Sequence, residues 1–229
     1  MYINKATLIT KRLNEMKKFY SELLGFSLIS CSDSSFEVQI GTSRLAFLQS
    51  ESVKETQYHF AFNIPSNQFN EAKKWVQTKV DLLKEDGVDE IYFERSNAHS
   101  LYFLDPCENV VELIAHQDVS PSSHEVPFSS NMILNISEMN ITTDNILHVG
   151  ETLEQLGMPV RHNEQLDANS LNFIGEQKDG TYLLLGPSDR TWYFSSKKAI
   201  ISPVTLELSN HLRLILNSDG QLTAEKMDC

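Results

Sequence analysis

Apolar positions along this chain fall into two rhythms, and the rhythms alternate in a repeated order. Residues 5–10 carry strand formers and run directly into a stretch where Leu13, Met16, Phe19, Tyr20, Leu23 and Leu24 recur every three or four positions. That spacing makes one apolar helix stripe, and Gly25 sits where a helix stop belongs. Three strand-like pieces follow at 26–30, 36–40 and 45–49, the last two joined across Gly41-Thr42-Ser43. The same order then returns. Residues 58–64 put Tyr58, Phe60 and Phe62 on one strand face and His59, Ala61 and Asn63 on the other. A helix is predicted through Phe69, Ala72, Trp75, Val76, Val80 and Leu83, ending before Gly87, with strands at 90–93, 101–104 and 110–115.

Two copies of strand, helix and three strands within about 115 residues point to a duplicated architecture. Gln117 to Asn131, rich in Ser and Pro, reads as a linker. Beyond it the order recurs more loosely, with strands at 132–140, 171–174, 182–185 and 204–208. A helix through Ile146, Val149, Leu153 and Leu156 is stopped by Gly157. A last hairpin at 212–222 turns at Asp219-Gly220. The expected class is α+β: repeated βαβββ modules whose mixed, curved sheets form a cup, with a third, looser module at the C-terminal end. The division is a two-module domain at 1–117, a linker at 118–131, and a partial module with a terminal hairpin at 132–229.

Charge narrows the function. A formal net charge of −12 over 229 residues argues against nucleic acid, which needs a dense cationic face, and against anionic membrane surfaces. It leaves a small-molecule partner open, since such a ligand feels only local charge. No apolar run reaches the ~20 residues of a membrane span, the N-terminus has no signal-peptide pattern, and the three cysteines lack metal-type spacing. A cytoplasmic protein is expected.

The chemistry centres on 100–114. Two strands are joined by a turn opening on Asp105-Pro106, with Asn109 expected to take the left-handed conformation that closes it. On the return strand Glu112 shares a face with Val110 and Ile114. A carboxylate between aliphatic positions costs several kcal/mol unless it is paired, hydrogen-bonded or bound to a metal. Its partner is therefore the main question.

Three segments carry a family resemblance: Phe19-Tyr20-Ser21-Glu22-Leu23-Leu24-Gly25-Phe26, Tyr58-His59-Phe60-Ala61-Phe62, and the hairpin from Ser100 through Asp105-Pro106 to Glu112-Leu113. Together they resemble the vicinal oxygen chelate superfamily of glyoxalases, bleomycin- and fosfomycin-resistance proteins and extradiol dioxygenases. The resemblance implies a cup built from two modules with a divalent metal (Zn, Mn, Fe or Ni) at its base. The ligands would come from the first strand of each module and the last strand of the second. His59 and Glu112 fall on two of these positions, and Lys5 falls on the third, where the family normally has His. Glu108 stands where the family has Gly in the hairpin turn.

Two readings stay open. In one, Lys5 replaces the metal and pairs with Glu112 across the cup base, with His59 nearby. In the other, His59 and Glu112 hold a metal and draw a third ligand from His99, His116 or a neighbouring subunit. In that case Glu112 also moves a proton in a metal-dependent lyase, dioxygenase or thiol transferase acting on an oxygen-rich molecule. By alternation and resemblance, Thr7, Ser96, Ser100 and Tyr102 point into the cup with Lys5 and bind substrate. Without a metal, the cup sequesters a small molecule. A non-catalytic assembly role and a homodimer are further alternatives. Trp192-Tyr193-Phe194 are expected to cover a sheet face or line a second cavity.

Overall fold

The computed structural model describes residues 1–51 and 55–227, which leaves Cys229 outside the described residues. The first module is β1 (Ile3–Thr10), a helix α1 (Leu13–Lys17) that continues as a wider π-turn through Leu23, then β2 (Leu28–Cys31), β3 (Ser35–Ile40) and β4 (Ser43–Gln49). The second is β5 (His59–Asn63), α2 (Phe69–Gln77), β6 (Ile91–Phe93), β7 (Ala98–Leu104) and β8 (Val110–His116). Then come β9 (Asn135–Thr142), α3 (Ile146–Gln155), β10 (Asn172–Ile174), β11 (Tyr182–Gly186), β12 (Val204–Leu208), β13 (Leu212–Leu216) and β14 (Leu222–Lys226). The mixed α+β class and repeated modules are those expected. Among the described residues no helix is long and apolar enough to cross a membrane.

The strands form two seven-stranded mixed sheets, β14-β13-β12-β1-β4-β3-β2 and β10-β11-β9-β5-β8-β7-β6. The first and second modules, expected to share one cup, lie in different sheets. Each opening strand leaves one edge free, and the C-terminal half fills both: β12 pairs antiparallel with β1, and β9 pairs antiparallel with β5. The segments on either side of 118–131 are thus joined by backbone hydrogen bonds in both sheets. An apolar core takes in Phe36, Phe47 and Leu206 from the first sheet and Phe60, Phe62 and Ile141 from the second. Gly41 shows how closely the sheets approach at one corner. Its φ is +55°, and a Cβ there would stand 2.0 Å from the Leu134 carbonyl oxygen.

Two local differences from the sequence reading have physical causes. Helix α2 ends at Gln77 rather than near Leu83, because the chain peels off to meet β7: Leu82 bridges to Phe103, and the Leu83 amide donates to the Tyr102 carbonyl. In the hairpin turn the left-handed residue is Glu108, with φ +63°, rather than Asn109. Asp105 makes this tolerable by accepting from the Cys107 and Asn109 amides at 2.9 and 3.0 Å, while the Glu108 amide donates to the Asp105 carbonyl at 2.8 Å. Asn109 Oδ1 instead accepts from the Tyr58 amide at 2.9 Å, which ties the turn to the start of β5.

Candidate metal centre

The second sheet brings three acid–base side chains to one spot. His59 and Ala61 lie on the same face of β5 by strand alternation. Ala61 stands opposite Glu112 on its parallel neighbour β8 and opposite Glu138 on its antiparallel neighbour β9. Ala61 adds only a methyl group to that row, so the two carboxylates converge beside His59. All three are almost fully buried, at 4%, 2% and 6% exposure for His59, Glu112 and Glu138. One ligand atom from each lies within 4.8 Å of the others.

The hydrogen bonding of His59 fixes which nitrogen faces the carboxylates. Nδ1 lies 2.9 Å from the Val110 carbonyl oxygen, which can only accept, so Nδ1 carries the hydrogen. Nε2 is left facing Glu112 Oε2 at 3.4 Å and Glu138 Oε2 at 3.8 Å. These gaps exceed the ~2.7–2.9 Å of a charge-assisted hydrogen bond. They approach the spacing of about 3.0–3.4 Å between neighbouring ligands, each about 2.1 Å from a shared ion. Glu112 Oε1 is buried with no hydrogen-bond partner among the described residues. One imidazole and two carboxylates form a donor set that divalent transition metals accept, and three protein ligands leave positions open for substrate. The residues fit a metal.

The three side chains act strongly on one another's protonation. Burial works against a charged imidazole, but the neighbouring Glu112 and Glu138 outweigh it and lift His59 to about 9. Burial also raises Glu112, as does repulsion from Glu138, with His59 acting in the opposite direction. Tyr102 pairs with Glu112 in the β7–β8 ladder. Burial and the Glu112 charge push its phenol far up, so it remains a donor.

A cavity of about 380 Å³ opens above the cluster, lined by His59, Glu112 and Glu138 and walled by Tyr102, Phe173 and Trp192 among others. The Trp192 ring packs tilted against the His59 ring, with centroids 4.6 Å apart, and its indole N–H donates to Gln57 Oε1 at 3.1 Å. Phe194 stacks on Tyr102 at 5.5 Å.

The sequence-derived positions divide by sheet. Ser96 and Tyr102 line this cavity, and buried Ser100 lies beside Glu112. Lys5 and Thr7 do not reach it. They lie on β1 in the first sheet, where Thr7 stands between Ala46 and Thr205. The Lys5–Glu112 pair is therefore not made, and Lys5 bonds Glu37 instead. Arg44 joins them at 3.3 Å from Glu37 and 3.9 Å from Glu207, and Arg213 closes the row 3.4 Å from Glu207. His99 packs against Phe69 and Tyr92, and His116 lies 3.3 Å from the Ser137 hydroxyl, so neither joins His59 and Glu112. The partner that sequence reasoning missed is Glu138. Strand alternation alone hides it: a register shift sets Ile136 opposite Phe62 on the core face and Glu138 opposite Ala61 on the cavity face. Trp192, expected to cover a sheet face or line a second cavity, lines this one, together with Arg161 and Arg190, which carried no sequence signal of their own.

A family model described as toxoflavin-degrading enzyme matches residues 136–190, the stretch holding Glu138, Arg161 and Phe173. No curated protein matches the chain. Among solved structures, a putative dioxygenase from Bacillus subtilis subsp. subtilis str. 168 superposes with a TM-score of 0.58 at 16% identity, covering 81% of this chain and 63% of that one. A lactoylglutathione lyase from Agrobacterium tumefaciens gives 0.42 at 16% identity, covering 49% of this chain and 91% of that one. The fosfomycin resistance protein FosX from Mesorhizobium loti gives 0.36 at 22% identity, covering 48% and 86%. With its twin curved sheets, its repeated modules and the likeness to the Bacillus protein over most of its length, the chain has the fold of the vicinal oxygen chelate superfamily.

Proposed function

We propose that the protein is a divalent-metal-dependent enzyme acting on a small, flat, oxygen-bearing molecule in the cup of the second sheet. The observation that carries this reading is the convergence of His59, Glu112 and Glu138 at the floor of an aromatic cavity. When bound there, a divalent ion supplies Lewis-acid polarisation of substrate oxygens. The chain's own residues do the rest. Trp192, Tyr102 and Phe173 wall the cavity and give a flat ligand rigid aromatic surface to pack against at little entropic cost. Their bulk excludes water, which strengthens every charge interaction inside. The Tyr102 hydroxyl stays protonated and donates to a developing negative oxygen. Glu112 Oε1, which has no hydrogen-bond partner among the described residues, is placed to accept a substrate proton.

The match over 136–190 makes toxoflavin the first compound to test. Protein loaded with Mn(II) is expected to consume toxoflavin, followed by its absorbance, and to stop when a chelator strips the ion. Turnover that survives complete metal removal would contradict the proposed metal dependence. A metal-loaded protein that leaves toxoflavin intact would remove that compound as the substrate.

A further inference from the structure

Two arginines, Arg161 and Arg190, line the cavity. Arg161 is 5% exposed. It donates from Nη1 to the Ser96 hydroxyl at 2.9 Å and lies against the rings of Phe173 and Tyr182 at 4.1 and 5.6 Å, while its buried Nε has no hydrogen-bond partner among the described residues. Arg190 lies over Trp192 at 4.3 Å, donates from Nη1 to the Thr191 carbonyl, and also has a buried Nε with no hydrogen-bond partner among the described residues. Neither forms an ion pair among the described residues, whereas Arg95, at the same cavity, is paired with Glu164. A guanidinium taken out of water without a carboxylate costs several kcal/mol, and a ring face recovers only part of it. Stacking by its face leaves an arginine's in-plane N–H groups free to meet an anion edge-on.

The sign of the cavity follows, given the metal reading above. Glu112 and Glu138 are the buried carboxylates of the lining, and a divalent ion neutralises both. The other acid of the lining, Glu94, is exposed and screened. The interior is then net positive inside a protein of net charge −12. We propose that the cup selects a flat molecule bearing negative charge, an aromatic or heteroaromatic carboxylate or ring-borne oxyanion, and that Arg161 and Arg190 bind that charge while the ring rests against the aromatic walls. They are specificity residues, separate from the metal ligands.

Two catechols of similar shape, one anionic and one neutral, test this: 2,3-dihydroxybenzoate and its amide, titrated calorimetrically into Mn(II)-loaded and metal-free protein. One charge-assisted contact gives roughly a tenfold preference or more. The benzoate is therefore expected to bind the loaded protein at least tenfold more tightly than the amide. Arg190→Gln, at the half-buried site, should bring that ratio to within about twofold while amide affinity holds, and Arg161→Lys should keep part of it. Equal affinity for the two probes, including no binding by either, would overturn the proposal, as would a preference untouched by Arg190→Gln. Failure of the metal reading looks different: no Mn(II) uptake, with the benzoate preference still present in metal-free protein.

Discussion

Glu112 and Glu138 flank Ala61 from opposite sides, one on each neighbouring strand, in a single row across β8, β5 and β9. The two carboxylates belong to different modules, and Ala61 is fully buried between their strands. Its small size keeps the space between them open to an ion.

Enlarging that residue should close the centre without touching a ligand. Ala61→Leu is expected to abolish metal binding and to cost about 1–3 kcal/mol of stability through overpacking. Ala61→Gly, which leaves the space open, should retain the metal. Both are checked by metal titration alongside denaturant unfolding.

Proton competition gives metal binding a direction with pH. In the ion-free protein His59 titrates near 9, so below that pH an incoming ion must displace a proton. Apparent affinity should fall about tenfold for each pH unit below that point, and more steeply where Glu112, also raised, becomes protonated. The stability of ion-free protein runs the other way. A folded-state value above the ordinary 6.5 means that the His59 contribution is fully present below 6.5 and is lost as pH rises through about 9. Calorimetric titrations across this range, with and without chelator, check both signs.

The hairpin that carries Glu112 depends on Asp105. Burial lifts its carboxyl to about 6 despite hydrogen bonds from Asn109 and Tyr20. It accepts from the Cys107 and Asn109 amides, from Asn109 Nδ2 at 2.8 Å and from the Tyr20 hydroxyl at 2.9 Å. Asp105→Ala leaves these buried donors without an acceptor and should cost about 3–5 kcal/mol. The loss would be read as a lower denaturant midpoint with an unchanged slope.

Much of this was legible in the chain because local pattern and tertiary role agree. Gly25 and Gly157 stop their helices, both with φ near +80°, and His59 and Glu112 lie where a strand face and an isolated carboxylate placed them. Lys5 misled for a reason outside its own sequence neighbourhood. The resemblance put it on β1 in the ligand position that His59 takes on β5, but strand periodicity does not say which opening strands share a sheet. That is decided by the free edges of β1 and β5, which β12 and β9 fill from the other half of the chain. Glu138 was hidden by the same gap, since its partners are set by β9 joining β5. The aromatic wall at Trp192 comes from the irregular stretch between β11 and β12, where no periodicity exists to read.

Metal stoichiometry, measured by elemental analysis and titration on the unaltered protein, Glu138→Gln and Lys5→Ala, tests the His59–Glu112–Glu138 centre most directly. One divalent ion per chain is predicted for the unaltered protein and for Lys5→Ala, whose side chain is held by Glu37 in the other sheet. Glu138→Gln should lose at least about a hundredfold in affinity, because two protein ligands hold an ion poorly. Undiminished binding by Glu138→Gln, or loss of the ion in Lys5→Ala, would contradict a centre built between the second and third modules.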